Sequence, residues 1–400
     1  MKGNVLKKFL CTCLVTAAAF AATTISASAC TTIYVGGDLV EEGTPFVART
    51  EDYGSDYNKL WFISESGKWK QGDHYVGCPE YGSFEWDFTH DSYRFTYFTN
   101  DIYYDGICPE CGEKADHYSY TEFGTNEKGV SVSATETLYG NEKVTEADPY
   151  RDAEWAEANK SERIGIEETD IPTIILAEAS SAREGVKLLL DIYENYGCVA
   201  ASGVFVCDKD EVWYVENCSG TQYVAIKLND NMIFLEPNMA VIGRVDLDDE
   251  NVIASKDLIA VAKKAGTFVG DEAKNIIDFR ASYARISEKM DQRMIDGLNY
   301  LNAAYKYDSD ALVADNTKFT ISDLDASDKL VALYTNIKAD RKLDKDDVFG
   351  YYKLSSIGKA SNQEIEIFQL FKDRPVETAT VGWVASATCP TTCLSRTIPC

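Results

Sequence analysis

Cys30 follows Ala27-Ser28-Ala29, the small-residue pattern at which a signal peptidase cuts. Cleavage there makes Cys30 the first residue, with a thiol and a free α-amine on one skeleton. An α-amine has a reference pKa of about 8, so it can take the thiol proton at neutral pH. Nucleophile and base then come from one residue, and no histidine is needed. The sequence has three histidines, His74, His90 and His117, all in a loop-rich region. A Cys-His pair with one of them stays open. Arg49-Thr50-Glu51-Asp52 follows the second predicted strand, which a hairpin starting at Cys30 brings back beside the first. A carboxylate there can hold the amine, and the arginine can favour a thiolate. The alternative is an ordinary Arg and Asp pair at a strand end.

The upstream segment fits removal. Lys2, Lys7 and Lys8 form a positive region, and Phe9 to Thr23 is mostly apolar and alanine-rich, yet too short to span a bilayer. Residues 1–29 are thus expected to be an export signal, and 30–400 a single domain with a secreted or cell-surface location. A cysteine after a small residue is also where bacterial lipoproteins are cut and acylated. That route favours a Leu-like residue three positions earlier, where Ala27 stands.

Composition narrows the function classes. The formal charge of -26 becomes about -29 once a leader with three lysines and no acids is gone, which repels phosphate backbones and anionic membranes. Nucleic-acid binding and stable membrane insertion are therefore not expected. At 45% hydrophobic and 12% aromatic, the chain is globular rather than disordered. With Cys30 reserved as a free thiol, Cys78, Cys108, Cys111, Cys198, Cys207, Cys218, Cys389, Cys393 and Cys400 are an odd set that cannot all pair. Cys108 and Cys111 have CxxC spacing, with Cys78 and His117 as conceivable further ligands. A local disulfide or a small stapling metal site fits this spacing better than redox catalysis. The catalytic reading itself needs no cofactor or metal.

The elements that must position this chemistry follow from periodicity. Strands are predicted at Thr31 to Val35, Pro45 to Arg49 and Gly129 to Thr135, and Leu60 to Tyr120 reads as aromatic-rich strands and long loops. Asn141 to Thr169 reads as a loop insertion or an exposed helix. Pro172 to Tyr196 has a helical apolar stripe stopped by Gly197. Ser202 to Cys207, Glu211 to Glu216, Tyr223 to Leu228 and Met232 to Leu235 read as an antiparallel meander. Lys256 to Ala265, Glu272 to Phe279 and Arg293 to Tyr305 read as helices. This order lacks βαβ alternation and fits an α+β fold of two antiparallel sheets with helices outside.

Cys30-Thr31-Thr32, Ala48-Arg49-Thr50-Glu51-Asp52, Asn126-Glu127-Lys128-Gly129-Val130 and Ser133-Ala134-Thr135-Glu136 together resemble the N-terminal-nucleophile dipeptidases of the dipeptidase A family, relatives of the choloylglycine hydrolases and penicillin V acylases. The likeness continues through Ala182-Arg183-Glu184, Tyr196-Gly197, Asp210-Glu211-Val212-Trp213, Glu216, Gly220, Pro237-Asn238, Gln292-Arg293, Ile365, Phe368, Gln369 and Trp383.

The resemblance implies a four-layer αββα sandwich and amide hydrolysis, with dipeptides as substrates. It makes Cys30 the nucleophile, Arg49 the thiolate support and Asp52 the amine ligand. Asn238 would supply an oxyanion donor through its backbone N–H, and Arg293 would lie near the nucleophile or substrate, with Arg285 as a rival. Glu136 stands where the acylases carry an oxyanion asparagine. An ionised carboxylate cannot donate, so Glu136 is expected to bind the free amino end of a peptide, or else to be a hydrogen-bonded strand residue. The alternatives are an acylase of bile-salt or penicillin type and a lipid-anchored, non-catalytic binding protein. A homo-oligomer is left open. Two departures stand out: the Cys108 to Cys111 region reads as inserted, and the chain ends at Cys400 where family members run on, implying a shortened or altered C-terminus.

Overall fold

The computed structural model describes residues 30–52, 59–77, 84–100, 121–286, 291–304, 337–386 and 395–397. The leader, Cys78, Cys108, Cys111, His117 and the last three cysteines lie outside the described residues. The strands are β1 (Thr31–Val35), β2 (Phe46–Asp52), β3 (Lys59–Ser64), β4 (His74–Val76), β5 (Glu85–Asp87), β6 (Phe95–Asn100), β7 (Phe123–Asn126), β8 (Ser131–Thr135), β9 (Gly203–Cys207), β10 (Val212–Asn217), β11 (Tyr223–Lys227), β12 (Ile233–Glu236), β13 (Arg244–Asp246), β14 (Val252–Ala254), β15 (Gly270–Asp271), β16 (Ile276–Asp278), β17 (Asn362–Leu370), β18 (Thr380–Ser386) and β19 (Ser395–Thr397). The helices are α1 (Glu142–Ala147), α2 (Ala153–Asn159), α3 (Ile171–Glu178), α4 (Ala182–Asn195), α5 (Leu258–Ala265), α6 (Phe279–Tyr283), α7 (Gln292–Leu301), α8 (Lys345–Tyr351) and α9 (Val376–Ala379).

Two large sheets carry the architecture. One has the order β12-β1-β2-β17-β18-β19, the other β14-β11-β10-β9-β8-β7-β6-β3. All pairings within both are antiparallel. Alternation of side chains across each strand divides the core into three. Tyr34, Val47 and Phe368 of the first sheet meet Phe205, Tyr214 and Ile226 of the second between the sheets. Ile33, Ala48 and Ile367 face outward onto Met294 and Leu298 of α7 and Val348 of α8. Val132, Val204 and Val206 face outward onto Ile175 and Leu176 of α3 and Leu189 of α4. The described residues thus form a four-layer αββα sandwich, with helices packed outside two antiparallel sheets, and each buried Leu or Ile stabilises it by about 1.5–3 kcal/mol.

Three local expectations are corrected. The predicted Pro172 to Tyr196 helix is two helices. Asn126 Nδ2 donates to the Leu176 and Ala179 carbonyls at 3.0 and 2.8 Å, and Ser181 then caps α4 by accepting from the Glu184 N–H. Those carbonyls and that cap end one helix and start another. The predicted four-strand meander loses its last member, because β12 crosses to pair with β1 in the opposite sheet. Glu272 to Phe279 is a 3₁₀ turn followed by β16, whose Asp278 caps α6. The charged Asn141 to Thr169 stretch holds α1 and α2, capped by Asn141 and Asp152. Among the described residues no helix is long and apolar enough to cross a membrane.

Candidate active site

Cys30 heads β1 at one end of the sandwich, where the ends of β2, β8 and β12 and the start of β17 converge. Tyr34 points between the sheets, so strand alternation turns Thr32 and Cys30 the same way. Cys30 is buried, and burial pushes its thiol well up; the Arg49 charge and a backbone hydrogen bond from Asp52 act in the opposite direction, and Glu168 and Glu51 reinforce the rise. Arg49 thus acts in the expected sense without overcoming desolvation. Burial prevails and favours the neutral Cys30 thiol.

Register places Arg49 opposite Thr32 on one side and Glu366 on the other. Its Nε donates to Glu366 Oε1 at 3.2 Å and its Nη1 to the Ala134 carbonyl of the facing sheet at 2.7 Å. Nη2 is buried without a partner. Asp52 is buried, and its Oδ2 accepts from Lys359 Nζ at 3.2 Å. The amine role expected for Asp52 is therefore one it would share with Lys359.

Arg293 is the hub of the site. From α7 its Nη1 donates to the Cys30 carbonyl, Thr31 Oγ1 and Asn238 Oδ1 at 3.0, 3.1 and 2.8 Å. Nη2 donates to the Pro237 carbonyl at 2.9 Å and to Asp291 Oδ2 at 2.8 Å, and Nε to Asp291 Oδ1 at 2.8 Å. One guanidinium thus holds both the Cys30 backbone and the Pro237-Asn238 turn. Its rival Arg285 instead stacks over the exposed Tyr139 ring at 4.3 Å.

Asn238 sits at φ 55°, a left-handed conformation that Asn tolerates better than other side chains bearing a β-carbon. Backbone hydrogen bonds from Asn238 and Met239 reach the Glu236 carboxylate, so the expected oxyanion N–H has a competing acceptor. Glu236 also accepts from Thr32 Oγ1 at 3.1 Å and from Thr137 Oγ1 at 3.4 Å, tying the two sheets together beside Cys30. Burial pushes Glu236 up to about 7.

Glu136 is exposed just beyond β8. It has acidic company that the sequence reading missed: Glu167 is pushed up to about 9 and Glu168 to about 8, each by burial first and the Glu136 charge second. A hydrogen bond from the Glu136 backbone binds the Glu168 carboxylate. The only sequence signal was the run Glu167-Glu168-Thr169-Asp170 at the end of the charged segment Asn141 to Thr169, read as a loop insertion or an exposed helix.

Other matched motifs turn out to be structural. Asn126 closes the β7-β8 turn by accepting from the Lys128 and Val130 N–H groups at 3.0 Å each. Glu216 accepts from the Val241 and Ile242 N–H groups at 2.7 and 3.2 Å. Arg183 pairs with Glu211, which also accepts from Trp213 Nε1. His74 pairs with Asp87, and His90 contacts the Asp91 and Glu178 carbonyls. The described cysteines Cys30, Cys198, Cys207 and Cys218 are all free thiols.

The αββα sandwich places a buried thiol, Cys30, at the head of its first strand. The model of Peptidase family C69 matches residues 29–399, so the chain belongs to that family and is an enzyme, a peptidase. It is 30% identical over 383 residues to a "Probable dipeptidase B" of Streptococcus pyogenes serotype M1, covering 89% of this chain and 69% of the relative. A "Probable dipeptidase" of Salmonella dublin is 32% identical over 262 residues, covering 64% of this chain and 53% of the relative. Penicillin V acylase from Agrobacterium tumefaciens aligns over 90% of this chain and 83% of its own, at 13% identity and a TM-score of 0.37. A variant of conjugated bile acid hydrolase from Clostridium perfringens aligns over 92% and 96%, at 12% identity and a TM-score of 0.39.

Proposed function

We propose that this peptidase is an exported cysteine dipeptidase whose nucleophile is Cys30, exposed as the first residue by removal of residues 1–29. The observation that carries this reading is the geometry around Cys30: Arg293 holds its carbonyl and the Asn238 turn together, and Arg49 stands beside the thiol with a buried, unpartnered Nη2. Such a donor beside a nucleophile suits negative charge that develops only during reaction.

In this mechanism the Cys30 sulfur attacks the substrate carbonyl carbon while its proton passes to the Cys30 α-amine, which Asp52 orients. Asn238 and Arg49 stabilise the resulting oxyanion. The tetrahedral species collapses, the C–N bond breaks, and the proton held by the amine goes to the leaving nitrogen. Water then attacks the thioester carbonyl, giving its proton to the α-amine, and the C–S bond breaks as that proton returns to sulfur. The raised resting pKa of the thiol suits this order, because proton removal is coupled to attack rather than completed beforehand.

Burial and the Glu136 charge hold Glu167 and Glu168 protonated, and an arriving ammonium favours their ionised forms, which supports dipeptides over neutral acyl amides. The names of the relatives point the same way. The test is a panel of dipeptides against their N-acetylated forms and glycine-conjugated or phenoxyacetyl amides. Turnover of free dipeptides, with at least about 100-fold loss on acetylation, is expected. Equal or better turnover of the blocked amides would overturn the dipeptide reading.

A further inference from the structure

Behind Arg49 lies a cluster of buried charges that the proposed reaction does not use. The Lys59 ammonium contacts Glu51 and Glu122 and lies 3.0 Å from Glu364, with its side chain 1% exposed. Among the described residues these three carboxylates form the one group that could hold a metal ion, and Lys59 already supplies the cation. Glu51 and Glu364 face each other across β2 and β17, one step from the pair Arg49 and Glu366. Four carboxylates therefore surround two buried cations within reach of the nucleophile.

A guanidinium is planar, so fixing two of its nitrogens fixes the direction of the third. In Arg49, Nε is held by Glu366 and Nη1 by the Ala134 carbonyl, each from a different sheet, and Nη2 is the nitrogen without a partner. A buried unpartnered donor is costly, about 1–3 kcal/mol, and nearby carboxylates are its natural partners. Glu51, Glu122 and Glu364 are each ion-paired with Lys59 instead, although Glu122 Oε2 and both Glu364 oxygens make no hydrogen bond.

We propose that Glu366 is the positioning residue for Arg49, clamping Nε so that Nη2 is reserved for the Cys30 sulfur and the reacting carbonyl, while Lys59 occupies the carboxylates that would otherwise capture it. Glu366 touches neither thiol nor substrate in this assignment. It acts by aiming a charge. The inference rests on Cys30 being the nucleophile.

The test compares two neutral near-isosteres, Glu366→Gln and Glu366→Met, in the protein beginning at Cys30. Both remove the negative charge, and only Gln keeps an oxygen that can accept from Nε. The readouts are kcat, KM and the pH midpoint of Cys30 alkylation by iodoacetamide, followed by mass mapping of that residue. The Met variant is expected to lose about 30-fold or more in kcat with KM nearly unchanged, and to alkylate with a midpoint about one unit above that of the Gln variant. Coinciding midpoints and kcat values in two folded variants would reduce Glu366 to a packing residue and overturn the inference. If the Met variant fails to fold, Glu366→Gln decides alone: its midpoint must not rise above that of the unaltered protein, and a rise overturns the clamp. A Cys30→Ala protein that still turns over would instead refute the underlying catalytic reading.

Discussion

Replacing Arg293 with lysine keeps the positive charge near Glu236 and Asp291 but takes away the fork. The guanidinium donates to Asp291, Cys30, Thr31, Asn238 and Pro237 through three nitrogens. An ammonium has three hydrogens on one atom, so it can serve at most three acceptors, and the ion pair with Asp291 takes at least one. Two or more of the contacts to the Cys30 backbone and the Asn238 turn are then lost. Each buried acceptor left unserved costs about 1–3 kcal/mol. If about 2–3 kcal/mol of this appears as misalignment of nucleophile and oxyanion donor, kcat falls roughly 30- to 150-fold. KM should stay within about threefold, because the acceptors belong to the protein and not to the substrate. Steady-state dipeptide hydrolysis with a parallel thermal melt separates the two effects. A folded Arg293→Lys protein with kcat within about twofold of the unaltered one would refute the view that this residue organises the site.

Two further outcomes follow from the same geometry. At Asn238, φ 55° strains any residue with an ordinary β-carbon, so Asn238→Gly should retain more kcat than Asn238→Ala although both lose the Oδ1 that Arg293 engages; the reverse order would count against a role for the backbone of this turn. The pH dependence of stability should also be unusual. Burial raises Asp170 and Glu236 to about 7 and Glu216 to about 8, whereas their unfolded values are near 4. Between about pH 4.5 and 8 the native state therefore binds more protons than the unfolded state, and stability falls as pH rises. The contribution of these groups is full below the unfolded pKa and is lost through the folded values. Melting temperature should drop by several degrees from pH 5 to pH 8.5, and a steady rise over that range would contradict the assignment.

Much of the site was legible because it is local in sequence. Cys30, the β1-β2 hairpin and Arg49 lie within 20 residues, and a two-residue period carries Cys30, Thr32 and Tyr34 to one face. The meander β9-β10-β11 was equally readable from alternation. What stayed hidden depends on long-range pairing. Nothing in Glu366 marks it as the partner of Arg49, because that contact exists only when β17 inserts between β2 and β18. The same holds for β12, whose apolar run fits either sheet until β1 claims it. Helical periodicity continued through Ser180 and Ser181, and the break between α3 and α4 came from a side chain, Asn126, some 50 residues earlier. Glu167 and Glu168 were passed over because charge usually signals solvent. Here folding carries Glu167 inside and leaves Glu168 half-buried beside the thiol.

The central claim is that Cys30 works with its own α-amine, and the most direct measurement compares the protein beginning at Cys30 with one that retains Ala29. The extra residue leaves the thiol, Arg49, Asn238 and Arg293 unchanged while converting the amine into an amide that cannot accept a proton at neutral pH. With intact mass confirming each N-terminus, the account predicts dipeptide turnover by the first protein and a loss of at least about 100-fold in the second, consistent with removal of a general base. Equal turnover by the two proteins would contradict it.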